Sequence, residues 1–186
     1  LDPQWVNTYN VTGEQDYEFN VQMTALPAVH SNCKMLYQGQ AEETVGNEVN
    51  GYNRLINTEL MSFLGCVVTQ NGEISELIVE RKHGSAPKFK LHKGKTKLRI
   101  EPVETALYKT NERWTPTPMP MLEGQVFGYN FFIDNQQVAA VTIDSQFPKI
   151  WILNKQEPAQ QQWLVAVAYS IMMFNWQDDW QRSPHS

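Results

Sequence analysis

The hydrophobic pattern runs mostly at a period of two. Tyr17-Glu18-Phe19-Asn20-Val21-Gln22-Met23 alternates apolar and polar positions, which predicts a strand with one buried face. Phe63 to Thr69 and Ile74 to Arg81 flank Gln70-Asn71-Gly72-Glu73, and Asn-Gly between β-rich runs predicts a hairpin. Lys88 to His92 and Lys95 to Ile100 flank Lys93-Gly94 and read as a second hairpin. Gln125 to Ile133 and Val138 to Ile143 flank Asp134-Asn135-Gln136-Gln137 and read as a third. Val103 to Lys109 and Lys149 to Leu153 supply two further short strands. The polar stretch 39–57, with Gly39, Gly46 and Gly51, reads as a loop or a weakly paired hairpin. Thr115-Pro116-Thr117-Pro118-Met119-Pro120 favours extended backbone and marks 115–120 as an internal connector.

The pattern changes near the end. Pro158 suits a first helical turn, and Trp163 to Phe174 is apolar on all sides of the projected helix. A helix of that kind, over about 158–175, must be buried all round. The expected fold is therefore mainly β (α+β): one domain over 1–186, an antiparallel β-barrel or strongly curved sheet around a buried hydrophobic C-terminal helix. A helix held between a sheet and a dimer partner is the other way to cover it. A chain of 186 residues buries enough surface to need no staples. No apolar run reaches ~18 residues, so no transmembrane segment is expected, and no leader peptide is seen.

The segment 124–176 resembles the end of the tubby C-terminal-like superfamily, which includes tubby, phospholipid scramblases and plant LURP-one-related proteins. The resemblance rests on Gly124-Gln125-Val126, Phe131-Phe132-Ile133, Phe147-Pro148-Lys149-Ile150-Trp151 and the run Leu164 to Phe174. It implies a closed barrel around a central helix, and phosphoinositide binding by basic residues on barrel strands. The polar stretch 39–57 and the residues after Phe174, with Trp176, Asp178, Asp179 and Trp180, depart from the family pattern.

Charge adds the most informative asymmetry. The formal net charge is −5, yet eight of the fifteen basic residues fall between Arg81 and Arg99, where no Asp or Glu occurs. The rest of the chain carries seven basic and twenty acidic residues, a balance of −13. With Lys93-Gly94 as a two-residue turn, Lys88 would face Arg99, Lys90 would face Lys97 and His92 would face Lys95. All six would then share one hairpin face, with Phe89, Leu91, Thr96, Leu98 and Ile100 on the other. Like charges directly opposed destabilise a sheet. Lysines can guard a strand edge against aggregation, and an acidic strand carrying Glu73, Glu76 and Glu80 can cover them. Otherwise they mark an anion-binding face: Lys88, Lys90, His92, Lys95, Lys97 and Arg99. Five such residues near anionic lipid contribute about 5 kcal/mol, too little for stable recruitment without a specific head group. The acidic balance and the scarcity of interleaved aromatics argue against nucleic acid as the partner.

Little points to an enzyme. His30, His83, His92 and His185 form no metal-binding spacing, and neither H-E-x-x-H nor G-x-S-x-G occurs. His30 and Cys33 would form a nucleophilic dyad only if a loop brought them together. Asp178 and Asp179 are adjacent and would diverge. No catalytic residue, metal or cofactor is expected. Cys33 and Cys66 can form one bridge, but Cys66, inside an apolar run, reads as a buried free thiol. Asn10-Val11-Thr12 is a lone glycosylation sequon. Trp163, Trp176 and Trp180 read as core or as a homodimer contact. The leading expectation is a non-enzymatic binding module for an anionic lipid head group or an acidic protein surface, cytoplasmic or peripheral to a membrane. The alternatives are a lipocalin-like carrier of a small apolar ligand, which lacks the characteristic G-x-W here, and a partner-specific inhibitor or immunity-type protein.

Overall fold

The computed structural model describes residues 6–44, 54–82, 84–104, 107–110, 113–116, 126–143 and 148–182. Side chains are described for 8, 10–40, 59–82, 84–104, 126–143 and 148–175. The first five strands form one antiparallel meander: β1 (Val6–Val21), β2 (Val29–Thr44), β3 (Arg54–Gln70), β4 (Glu73–Lys82) and β5 (Lys88–His92). A second sheet has the order β11-β10-β9-β6, from β6 (Leu98–Val103), β9 (Gly128–Ile133), β10 (Gln136–Thr142) and β11 (Ile150–Ile152). The strands β7 (Leu107–Thr110) and β8 (Arg113–Pro116) make a separate ribbon. One helix, α1 (Pro158–Arg182), closes the chain.

Local chemistry sets the tight turns. Asn71 and Gly72 both have positive φ, 50° and 79°, as the expected hairpin requires, and Gln70 pairs with Glu73 across them. Asp134 and Asn135, at 50° and 65°, turn β9 into β10, so Gln136 and Gln137 belong to the strand rather than to the loop. The polar stretch 39–57 contributes strand residues to β2 and β3, paired as far as Thr44 and Arg54. The part between them lies outside the described residues. Of the connector, Thr115 and Pro116 end β8, and 117–120 lie outside the described residues.

The helix contacts both sheets and joins them in one core. The inner face of the first sheet contributes Val29, Met35, Leu64, Val68, Leu77 and Val79. The second contributes Tyr129, Phe131, Val138 and Val141, and the helix contributes Trp163, Leu164, Val167, Ile171 and Phe174. Strands of both sheets thus pack on the helix, but strand pairing does not close into a barrel among the described residues. Two expectations need correction. The helix runs to Arg182, not to about 175. Nor is it buried all round, because Val165, Tyr169 and Met172 form a half-exposed stripe at helical spacing.

Buried polar groups fix the helix in place. Gln162 Nε2 donates to the carbonyls of Val21 (2.8 Å) and Pro27 (2.9 Å), tying the helix to both ends of the β1–β2 connection. Tyr129 Oη donates to Asn175 Oδ1 at 2.7 Å, and Asn175 Nδ2 donates back to the Ile171 carbonyl. The Tyr17 hydroxyl donates to the Ser170 carbonyl, and burial, with Tyr169 nearby, pushes its pKa up.

Candidate functional site

The strand β5 alternates cleanly. Phe89 and Leu91 point inward, and Lys88, Lys90 and His92 are exposed on the outer face. Its neighbour β4 alternates in phase, placing Ser75, Leu77 and Val79 inside and Glu76, Ile78 and Glu80 outside. The register therefore sets Glu80 opposite Lys88, Ile78 opposite Lys90 and Glu76 opposite His92. Opposite charges across strands stabilise a sheet by roughly 0.2–1 kcal/mol per pair. The acidic strand thus lies opposite two of the three positions on this face, without forming an ion pair with either among the described residues.

The hairpin expected over 88–99 does not form. The two flanking strands lie in different sheets, with β5 on β4 and β6 on β9. The pairings Lys88–Arg99, Lys90–Lys97 and His92–Lys95 are absent. Instead Thr96 N donates to the Lys93 carbonyl at 2.9 Å, Lys93 bridges Thr96, and Gly94 takes positive φ. The turn is shifted by one residue, and it carries the chain from one sheet to the other. The local signal does mark a turn, but each strand finds its partner elsewhere.

This crossover rearranges the six candidate residues. His92, Lys95 and Lys97 are exposed around one cleft of about 620 Å³, whose apolar wall is Leu91 and Leu98. Among the described residues, Lys95 and Lys97 form no ion pair. Lys88 and Lys90 stay on the face of the first sheet. Arg99 belongs to the second sheet, where it pairs with Glu101 and lies 4.5 Å from the centre of the Phe132 ring.

Lys93, seen in the sequence only as a turn residue, points the other way. Its Nζ sits 4.2 Å above the centre of the Trp163 ring and 3.8 Å from Glu73, with the side chain only 14% exposed. Burial pushes its pKa down, while Glu73 acts in the opposite direction. Trp163 is held by its own indole N–H, which donates to Ser75 Oγ at 2.8 Å. Ser75 in turn donates to the Val68 carbonyl. Lys93, Glu73 and Trp163 border a second cleft of about 470 Å³, with Glu157 and Gln160 from the start of α1. The turn at 93–96 is thereby pinned to the helix, which fixes where Lys95 and Lys97 project.

The cysteines also need correction. Cys33 and Cys66 are directly opposed in β2 and β3 and form a disulfide, so neither is a free thiol. Both are buried, at 0% and 2% exposure. A dyad of His30 with Cys33 is excluded, because Cys33 is bonded and faces inward while His30 is exposed on the opposite face. Among the described residues no three His, Cys, Asp or Glu side chains come together as metal ligands. Trp163 belongs to the core. The side chains of Trp176, Asp178, Asp179 and Trp180 lie outside the described residues, as do His83 and His185.

No family model matches the chain, and no curated protein or solved structure matches it either.

Proposed function

We propose that this protein is a non-enzymatic binding module whose basic crossover at 92–97 engages an anionic group. The single observation behind this reading is the convergence of His92, Lys95 and Lys97 on one cleft where no carboxylate pairs with either lysine among the described residues. A cation held at a rigid turn loses less freedom on binding than one on a mobile loop. Lys93, clamped between Trp163 and Glu73, supplies that rigidity. The apolar wall of Leu91 and Leu98 beside the cations suits a phosphate-bearing lipid head group with its glycerol and acyl carbons. An acidic protein surface is the second candidate. The resemblance to tubby-like barrels points the same way, toward basic residues on strands meeting a phosphorylated lipid, and completion of the barrel belongs to that proposal.

A carrier is disfavoured, because Trp163, Tyr129, Phe131 and Phe174 fill the space between the sheets. No helix among the described residues is long and apolar enough to cross a membrane. The buried disulfide favours an oxidising compartment over the cytoplasm, and Asn10 of the sequon is exposed on β1.

The test is co-sedimentation with vesicles of zwitterionic lipid, with and without anionic lipid, at low and high salt. Salt-sensitive binding to the anionic vesicles, lost in Lys95→Glu/Lys97→Glu, is the expected result. Equal sedimentation of wild type and variant would remove the crossover from the reading. Sedimentation of neither with any vesicle would remove lipid.

A further inference from the structure

The outer face of the first sheet is ordered in both charge and hydrophobicity. Read across the strands from β1 to β5, one row is Glu14, Leu36, Phe63, Glu80, Lys88. The next is Asp16, Lys34, Gly65, Ile78, Lys90, and the third is Glu18, Asn32, Val67, Glu76, His92. Over these three rows the β1 edge is acidic and the β5 edge basic or titratable. Between them Leu36, Phe63, Val67 and Ile78 are interspersed with Lys34, Asn32, Glu76 and Glu80. Leu36, Val67 and Ile78 are 42%, 44% and 44% exposed. Gly65, at the middle of the sheet, has open space above it, so the centre is a shallow depression flanked by Phe63 and Val67.

We propose that this face binds a second copy of the same chain, sheet against sheet, about a twofold axis running along β3. Charge selects that axis. A dyad in the interface parallel to the strands keeps each row at its own level and exchanges the two edges. Glu14 then faces Lys88, Asp16 faces Lys90 and Glu18 faces His92 of the second copy, each pair occurring twice. A dyad across the strands would instead set acid over acid and lysine over lysine. Along the central strand, Phe63 meets Phe63, Gly65 meets Gly65 and Val67 meets Val67, while to either side Leu36 faces Glu80 and Lys34 faces Ile78 of the second copy. Packed sheets lie about 10 Å apart, a gap that opposed Glu and Lys side chains can span. The four strands β1 to β4 carry five outward rows and β5 carries three, which at a spacing of about 4.8 Å between strands and about 6.8 Å between rows gives a face of about 750 Å², close to the area one partner contributes to a standard interface. Within one chain, Glu14 pairs with Lys34 and Asp16 lies opposite Lys34, so Lys90 is the cleaner reporter and Asp16 serves in the charge exchange. Lys90 faces Ile78 rather than an acid in its own sheet, so reversing it leaves the intrachain charge ladder in place. The surface meets the crossover cleft of Lys95 and Lys97 only at His92, and variants at Lys90 and at Lys95/Lys97 let the two readings fail separately.

The experiment is sedimentation equilibrium of the full chain over a concentration series. Wild type is expected to be a salt-sensitive dimer. Lys90→Glu and Asp16→Lys, each placing two repulsions in the dimer, should each raise the dissociation constant at least about tenfold. The double variant Asp16→Lys/Lys90→Glu should recover most of that loss, and Val67→Lys should abolish the dimer. Circular dichroism of each variant shows whether it is folded; for a variant that fails to fold, Lys88→Glu with Glu14→Lys repeats the exchange one row away. A monomer at every concentration, a dimer indifferent to Lys90→Glu, or no recovery in either charge exchange would overturn the proposal.

Discussion

Replacing both half-cystines, in Cys33→Ala/Cys66→Ala, removes a cross-link between directly opposed residues of β2 and β3. The two positions are 33 residues apart, so the bond closes a mid-sized loop in the unfolded chain. The loop-entropy relation gives about 3.7 kcal/mol for a closure of that length at 25 °C. Both half-cystines are also buried, and Cys33 Sγ lies 3.7 Å from the Ser170 hydroxyl of α1, so truncation to alanine leaves a small void as well. Against a total stability of about 5–15 kcal/mol, that is a large share. Urea unfolding is the assay, with the denaturant slope fitted. At a slope of about 2 kcal/mol per molar, the midpoint should fall by about 1.9 M. Wild type unfolded and refolded with reductant should lie close to the double variant, which separates the cross-link from the lost packing. A midpoint shift below about 0.5 M, or two titratable thiols in the oxidised native protein, would refute the reasoning.

Other consequences follow from the buried polar groups. Tyr129→Phe removes the 2.7 Å hydrogen bond to Asn175 and strands a buried amide oxygen, so thermal or urea unfolding should show a loss of about 1–3 kcal/mol. Gln162→Leu leaves the Val21 and Pro27 carbonyls without their donor. It should cost a similar amount, about 1–3 kcal/mol, and raise hydrogen exchange at the β1–β2 connection. Tyr17 has its pKa raised by burial, so the folded state holds that proton longer than the unfolded chain does. Stability is then fully present below about pH 10 and should fall above it, by up to about 1.4 kcal/mol per pH unit. Tyr17→Phe should flatten that alkaline decline in urea midpoints, and an unchanged slope would contradict the assignment.

Much of the architecture was legible because its signals are local. Asn71-Gly72 specifies its own turn, and the alternation of β4 and β5 places each side chain on a face without reference to anything distant. The apolar run at 163–174 announces a helix packed on strands, although not one buried all round. The strand β2 was missed because its inward positions include Ser31 and Cys33, which blur the hydrophobic alternation, and because its far end is polar. The partners of β5 and β6 were not legible. A turn at Lys93 is compatible with a hairpin or with a crossover, and the choice depends on β4 and β9 offering complementary edges. The disulfide depends on the β2–β3 register, which no spacing between Cys33 and Cys66 reveals. Lys93 over Trp163 is a contact between distant segments, so the residue that fixes the site gave no signal of its own. Composition pointed to the candidate cleft, since His92, Lys95 and Lys97 come from the cationic stretch that charge counting singles out.

The most direct test of the central claim is a titration of the ¹⁵N-labelled protein with a short-chain anionic phospholipid below its micelle concentration, followed by amide chemical shifts. Saturable shifts should map to 91–98, with smaller ones at Trp163 through Lys93, and should vanish in Lys95→Glu/Lys97→Glu while a zwitterionic analogue leaves the spectrum unchanged. Shifts confined to other strands, or none at 91–98 at any concentration, would contradict an anion site at the crossover.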